Sequence, residues 1–105
     1  MNEYSIMSDG LAYFHNHIYR WYGKRLVGTV RHEIFFGSAN RKKSIQYGIV
    51  VFILPEDHNM SVYGVHNFLG KEFNDLLKAE GQRTAMAYYG WSEDEFRKVF
   101  GRSYI

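Results

Sequence analysis

The hydrophobic period changes part-way along this chain, and that change bounds the fold more tightly than any other feature. Residues 29–36 alternate, with Val30, His32, Ile34 and Phe36 on one side and Thr29, Arg31 and Glu33 on the other. A repeat of two belongs to a half-buried strand. Beyond residue 68 the spacing lengthens: Leu69, Phe73, Leu76 and Leu77 recur at i, i+4, i+7 and i+8, one face of a helix. Strands followed by helices, rather than alternating with them, argue for an α+β fold.

Local signals place the elements. Ser92 and Glu95 form a capping box, and Trp91 and Phe96 flank it as a hydrophobic staple. Glu93, Asp94 and Glu95 suit the positive end of the helix dipole, Arg97 and Lys98 suit the negative end, and Gly101 supplies a left-handed stop. This predicts a helix over 93–100. A second helix is predicted over 68–80, between Asn67 and Gly81, with a short helical turn through 82–89 stopped at Gly90.

Residues 44–54 are nearly all apolar and read as a central strand ended by Pro55. Tyr47, Gly48, Val50 and Phe52 match the RNA-recognition-motif strand in type, but Ile45, Gln46 and Ile49 depart from it, so an ordinary buried strand is predicted. A hairpin over 37–43 would join it to the preceding strand, and a further strand is predicted through 61–65. Residues 11–22 fit two periods. Leu11, Phe14, Ile18 and Trp21 or Tyr22 have helical spacing, while Tyr13, His15, His17, Tyr19 and Trp21 alternate. The helical reading is preferred. The expected fold is thus a small antiparallel sheet of about three strands packed by two C-terminal helices, with an N-terminal helix as an optional addition.

A length of 105 residues suits one domain with one core. Cysteine is absent, which excludes disulfides, thiol nucleophiles and thiolate zinc sites. The N-terminal stretch has no secretory pattern, and the longest apolar run, 49–54, is far too short to span a bilayer. A cytoplasmic protein without membrane contact is expected.

Charge is uneven. Of 13 basic residues, seven (Arg20, Lys24, Arg25, Arg31, Arg41, Lys42 and Lys43) lie in one stretch whose only acid is Glu33. Such a field attracts phosphate backbones or acidic protein surfaces. Trp21 and Tyr22 beside it offer rings for stacking, and nine tyrosines in a chain this small suggest that some, among Tyr19, Tyr22, Tyr47, Tyr63, Tyr88 and Tyr89, stay wet enough to touch a partner. The predicted binding residues are therefore Arg20, Trp21, Tyr22, Lys24, Arg25, Arg31, Arg41, Lys42 and Lys43, with the last three at a hairpin tip.

Five histidines raise metal or acid–base chemistry. On a strand His15 and His17 would share a face and could ligate together, whereas on the preferred helix they diverge; His32 falls on an apolar face as a core residue would, His58 lies in a turn, and His66 precedes a helix. No phosphate-binding glycine loop, dinucleotide turn or nucleophile elbow occurs. No catalytic residue, metal ligand or cofactor is predicted. The expected function is non-enzymatic binding of nucleic acid or a nucleoprotein complex. In size and in its lack of catalytic motifs the chain is similar to phage or mobile-element inhibitors of host defence complexes, such as anti-CRISPR proteins. The alternatives are an adaptor or homodimer that meets an acidic protein surface, and a small histidine-dependent enzyme.

Overall fold

A computed structural model describes residues 3–105. The architecture is α+β, with elements in the order β1 (Gly10–Phe14), β2 (His17–Trp21), β3 (Val30–Glu33), α1 (Asn40–Tyr47), β4 (Val50–Ile53), α2 (Pro55–His58), a 3-10 turn (Phe68–Gly70), α3 (Lys71–Tyr89) and α4 (Glu93–Phe100). Two antiparallel ladders, β1–β2 and β3–β4, form the strand layer. A single antiparallel bridge between Tyr22 and Phe52 joins them, with N–H to O distances of 3.0 and 2.8 Å. The strands therefore run β1-β2-β4-β3, one more than the sequence suggests.

Residues 11–22 are a hairpin and not a helix. His15 and Asn16 turn the chain with φ of 55° and 59°, the doubly left-handed backbone of a tight two-residue turn. Asparagine tolerates this region better than most residues do, and the strand twist favours such turns. The alternation wins because it buries Tyr19 and Trp21 on one face, while Ile18 and Arg20 stay out. Tyr19 stacks on Phe73 of α3 at 4.2 Å between ring centroids, which seats the hairpin on the helical layer.

The segment after β3 also differs from expectation. There is no 37–43 hairpin: the chain turns at Gly37 (φ 100°) and enters α1. Ser44 explains the choice. Its hydroxyl, fully buried, donates to the Phe35 carbonyl at 2.7 Å and accepts the Phe35 amide at 3.0 Å, pinning α1 across the end of β3. Helix α1 ends at Gly48 in the left-handed region (φ 72°), so the strand expected over 44–54 shrinks to the β-branched and aromatic run Val50–Ile53. All of its residues are buried.

Residues 61–65 are turns instead of a strand. Close backbone approach enforces this, since a Cβ on Gly70 would overlap the Gly64 carbonyl. Helix α3 runs past its expected stop. Gly81 sits buried inside it, where a Cβ would lie 3.0 Å from Ile49 Cγ2 and 3.1 Å from Ile34 Cγ2. That glycine lets the helix press against the strand layer, and the left-handed stop comes at Gly90 instead. Helix α4 matches the sequence reading: the Ser92–Glu95 capping box is formed in both directions and Gly101 closes it. Tyr19, Trp21, Ile34, Phe35, Ile49, Val51, Ile53, Phe73, Leu77, Phe96 and Phe100 make up most of one core between strands and helices. No helix among the described residues is long and apolar enough to cross a membrane.

Candidate functional site

Strand register sorts the side chains onto two faces. Tyr19 and Trp21 enter the core from β2, as do Val51 and Ile53 from β4. The opposite face carries Leu11 and Tyr13 from β1, which pair with Arg20 and Ile18. Next to them lies Tyr22 opposite Phe52, and then Arg31, which also pairs with Phe52. Leu11, Tyr13 and Ile18 are 60%, 61% and 50% exposed. This outer face thus combines wet apolar side chains with guanidinium groups.

Of the residues predicted to bind, the structure gathers Arg20, Tyr22, Arg25 and Arg31 on or over this face. Arg20 is exposed and Tyr22 half-buried. Arg25 lies 5.1 Å from the centre of the Phe52 ring and pairs with Glu3. Arg31 and Arg41 share the Glu33 carboxylate, each at 3.0 Å. Lys24 is exposed in the loop after β2. Trp21 is the clear exception, turned into the core at 7% exposure because it lies one position out of phase with Arg20 and Tyr22.

The cations expected at a hairpin tip sit on the first turns of α1, and they part company. Arg41 and Lys42 are exposed. Lys43 instead donates to the Val99 carbonyl at 2.6 Å, and Asn40 to the Phe100 carbonyl at 3.2 Å. Both satisfy carbonyls left open at the end of α4, a structural use of positive charge at a helix C-terminus.

The structure also assembles a group that sequence spacing did not reveal. His32 on β3, His58 at the end of α2 and His66 before the 3-10 turn bring three rings together, with centroids 5.3 Å (His32–His58), 5.2 Å (His32–His66) and 4.7 Å (His58–His66) apart. The Nε2 atoms of His58 and His66 are 3.2 Å apart. His32 is 1% exposed, and its Nε2 has no hydrogen-bond partner among the described residues. Burial pushes the proton affinity of all three rings down, His32 furthest, with Arg41 adding repulsion at each. Both effects favour the neutral imidazole.

Two backbone bonds fix the pair, from His66 N–H to the His58 carbonyl at 3.2 Å and from Val65 N–H to the Asp57 carbonyl at 2.7 Å. The only advance signal was the odd placement of His32 on an apolar strand face. His58 and His66 lie eight residues apart in a segment of turns, and that spacing carries no periodic signature.

The remaining histidines sit elsewhere. His15 pairs with Glu72 at 2.8 Å at the hairpin tip, and His17 pairs with the buried Asp57 at 2.7 Å. Comparison with family models, curated proteins and solved structures finds no match.

Proposed function

We propose that this chain is a binding protein rather than an enzyme, and that it takes an unpaired nucleic-acid strand, bare or within a nucleoprotein, on the outer face of β1 and β2. The observation that carries the reading is the contiguous exposure of Leu11, Tyr13 and Ile18 beside Arg20. Large apolar side chains left together in water mark a contact surface more often than an idle one. Tyr13 and Tyr22 offer ring faces on which bases stack, a mode that tolerates any sequence. Arg20, Lys24, Arg25, Arg31 and Arg41 outnumber Glu3, Asp9 and Glu33, the carboxylates on or beside them, so the field stays positive.

Fluorescence anisotropy of labelled single-stranded DNA and RNA tests this. If four cations meet phosphates, log K falls against log salt with a slope of roughly −3. Tyr13→Ala and Arg20→Glu each weaken binding about tenfold or more, as expected for loss of a stacked base or reversal of a contact charge. Binding indifferent to both substitutions overturns the assignment of this face.

The same exposed apolar residues favour a second reading, a homodimer or an acidic protein partner docked on the hairpin. Sedimentation of the nuclease-treated protein separates the two. A dimer that Tyr13→Ala and Ile18→Asp dissociate, with no oligonucleotide binding, supports this alternative.

A further inference from the structure

The geometry points to His32, His58 and His66 as the ligands of one divalent transition-metal ion of the zinc class, a site independent of the binding face on β1 and β2. Three features carry the inference. First, three imidazoles from three separate elements converge so that one ligand nitrogen from each lies within 4.8 Å of the others. Second, the 3.2 Å between His58 Nε2 and His66 Nε2 fits one edge of a tetrahedral site. With Zn–N bonds of about 2.0–2.1 Å that edge is about 3.3–3.4 Å. Third, His32 buries a ring nitrogen that nothing else satisfies. Leaving such an atom unpaired forfeits the hydration it had in water, and a metal bond makes good that loss.

The surroundings suit the ligand set. All-nitrogen donors without thiolates or ligating carboxylates favour zinc, copper, cobalt or nickel over calcium or magnesium. Closing the remaining gap to His32 asks for a shift of up to about 1.5 Å, given bonds of that length. His66 is exposed and His58 half-buried, so both have room to rotate. The backbone around them is less free. A Cβ on Gly64 would lie 2.8 Å from the His58 carbonyl, and Asn67 Nδ2 donates to the Ser61 and Asn59 carbonyls at 2.6 and 3.2 Å. Those contacts hold the 58–67 segment folded back on itself and keep both ligands on one side.

Charge around the cluster is mixed. Arg41 and Lys78 act on it with positive charge, and Glu33 offsets them in part. The Phe36 ring forms one wall, its centre 4.7 Å from that of His66, and Lys78 Nζ lies 4.7 Å from the centre of the same ring. A bound dication is thus opposed by two cations unless its fourth position takes an anion, so a hydroxide, chloride or carboxylate completes the shell better than a neutral ligand. In this arrangement the metal ties β3 to α2 and the 58–67 segment, as a structural clip does.

The test uses the untagged full chain, stripped with chelator and titrated with Co2+ and then with Zn2+ in competition with a chromophoric chelator. One ion per chain, a tetrahedral Co2+ visible spectrum displaced by Zn2+, and a rise in melting temperature with Zn2+ are expected. His66→Ala, at an exposed position that leaves the core untouched, weakens binding at least about tenfold. His58→Ala does the same. His15→Ala, at the hairpin tip, leaves affinity unchanged. Should His32→Gln fail to fold, the two surface-side variants still decide the matter. Absence of stoichiometric binding, or equal affinity in wild type and His66→Ala, overturns the site.

Discussion

His17 Nε2 lies 2.7 Å from Oδ1 of Asp57, whose side chain is only 4% exposed, so a strand near the N-terminus holds a buried carboxylate on α2. Burial raises the proton affinity of that carboxylate, and the hydrogen bond with His17 offsets this in part. The His17 ring stacks on Tyr63 at 4.7 Å and 5°. One pair therefore joins the hairpin to the segment that presents His58 and His66.

Removing half of that pair leaves a buried acceptor short of a donor. His17→Ala is expected to lower stability by about 1–3 kcal/mol. Denaturant unfolding measures it, and a change within error would show that water replaces the imidazole without loss.

Tyr19 gives the pH dependence. Its hydroxyl donates to the Tyr63 carbonyl at 2.6 Å, and burial, followed by the charges of Asp57 and Glu72, raises its pKa to about 12. The folded value lies above the unfolded one of about 10. The contribution of the protonated phenol is therefore complete below pH 10 and is lost as pH rises through about 12, by roughly 3 kcal/mol in all. Ultraviolet titration should find one tyrosine that ionises only with unfolding, and Tyr19→Phe should abolish that late step.

Gly81 tests the close packing of α3. In open solvent, replacing a mid-helix glycine with alanine gains about 1 kcal/mol. Here Gly81→Val must displace Ile49 and Ile34, whose methyl groups already lie 3.0 and 3.1 Å from an added Cβ. Overpacking of this kind costs about 1–3 kcal/mol. A melting temperature at or above that of wild type would show that the strand layer yields.

Ser92→Ala removes the hydroxyl that accepts the Glu95 amide at 3.1 Å. The loss expected for such a cap is about 1 kcal/mol, read from chemical denaturation. Ser92→Asp, which keeps an acceptor at that position, should restore most of it.

The C-terminal helix was legible because all its determinants are local: Ser92, Glu95, Phe96 and Gly101 lie within one short stretch. The α+β class was legible for a similar reason, the change of period. Gly81 misled because a glycine inside a helix and a glycine ending one look alike until the Ile34 and Ile49 methyl groups are in place. Helix α1 was hidden because Ser44 acts through Phe35, a partner nine residues away. The structure brings Arg20, Tyr22, Arg25 and Arg31 to the outer face, whereas strand phase turns Trp21, their neighbour in sequence, into the core. Of the histidine cluster only His32 on its apolar strand face stood out, because the three members come from separate elements whose meeting depends on the whole fold.

The Tyr22–Phe52 bridge carries the only ladder pairing between β2 and β4 among the described residues. The strand layer accordingly has a crease. Across it the N-terminal hairpin is held less by backbone pairing than by side chains: His17 on Asp57, the Tyr19 hydroxyl on the Tyr63 carbonyl, and the Tyr19 ring on Phe73.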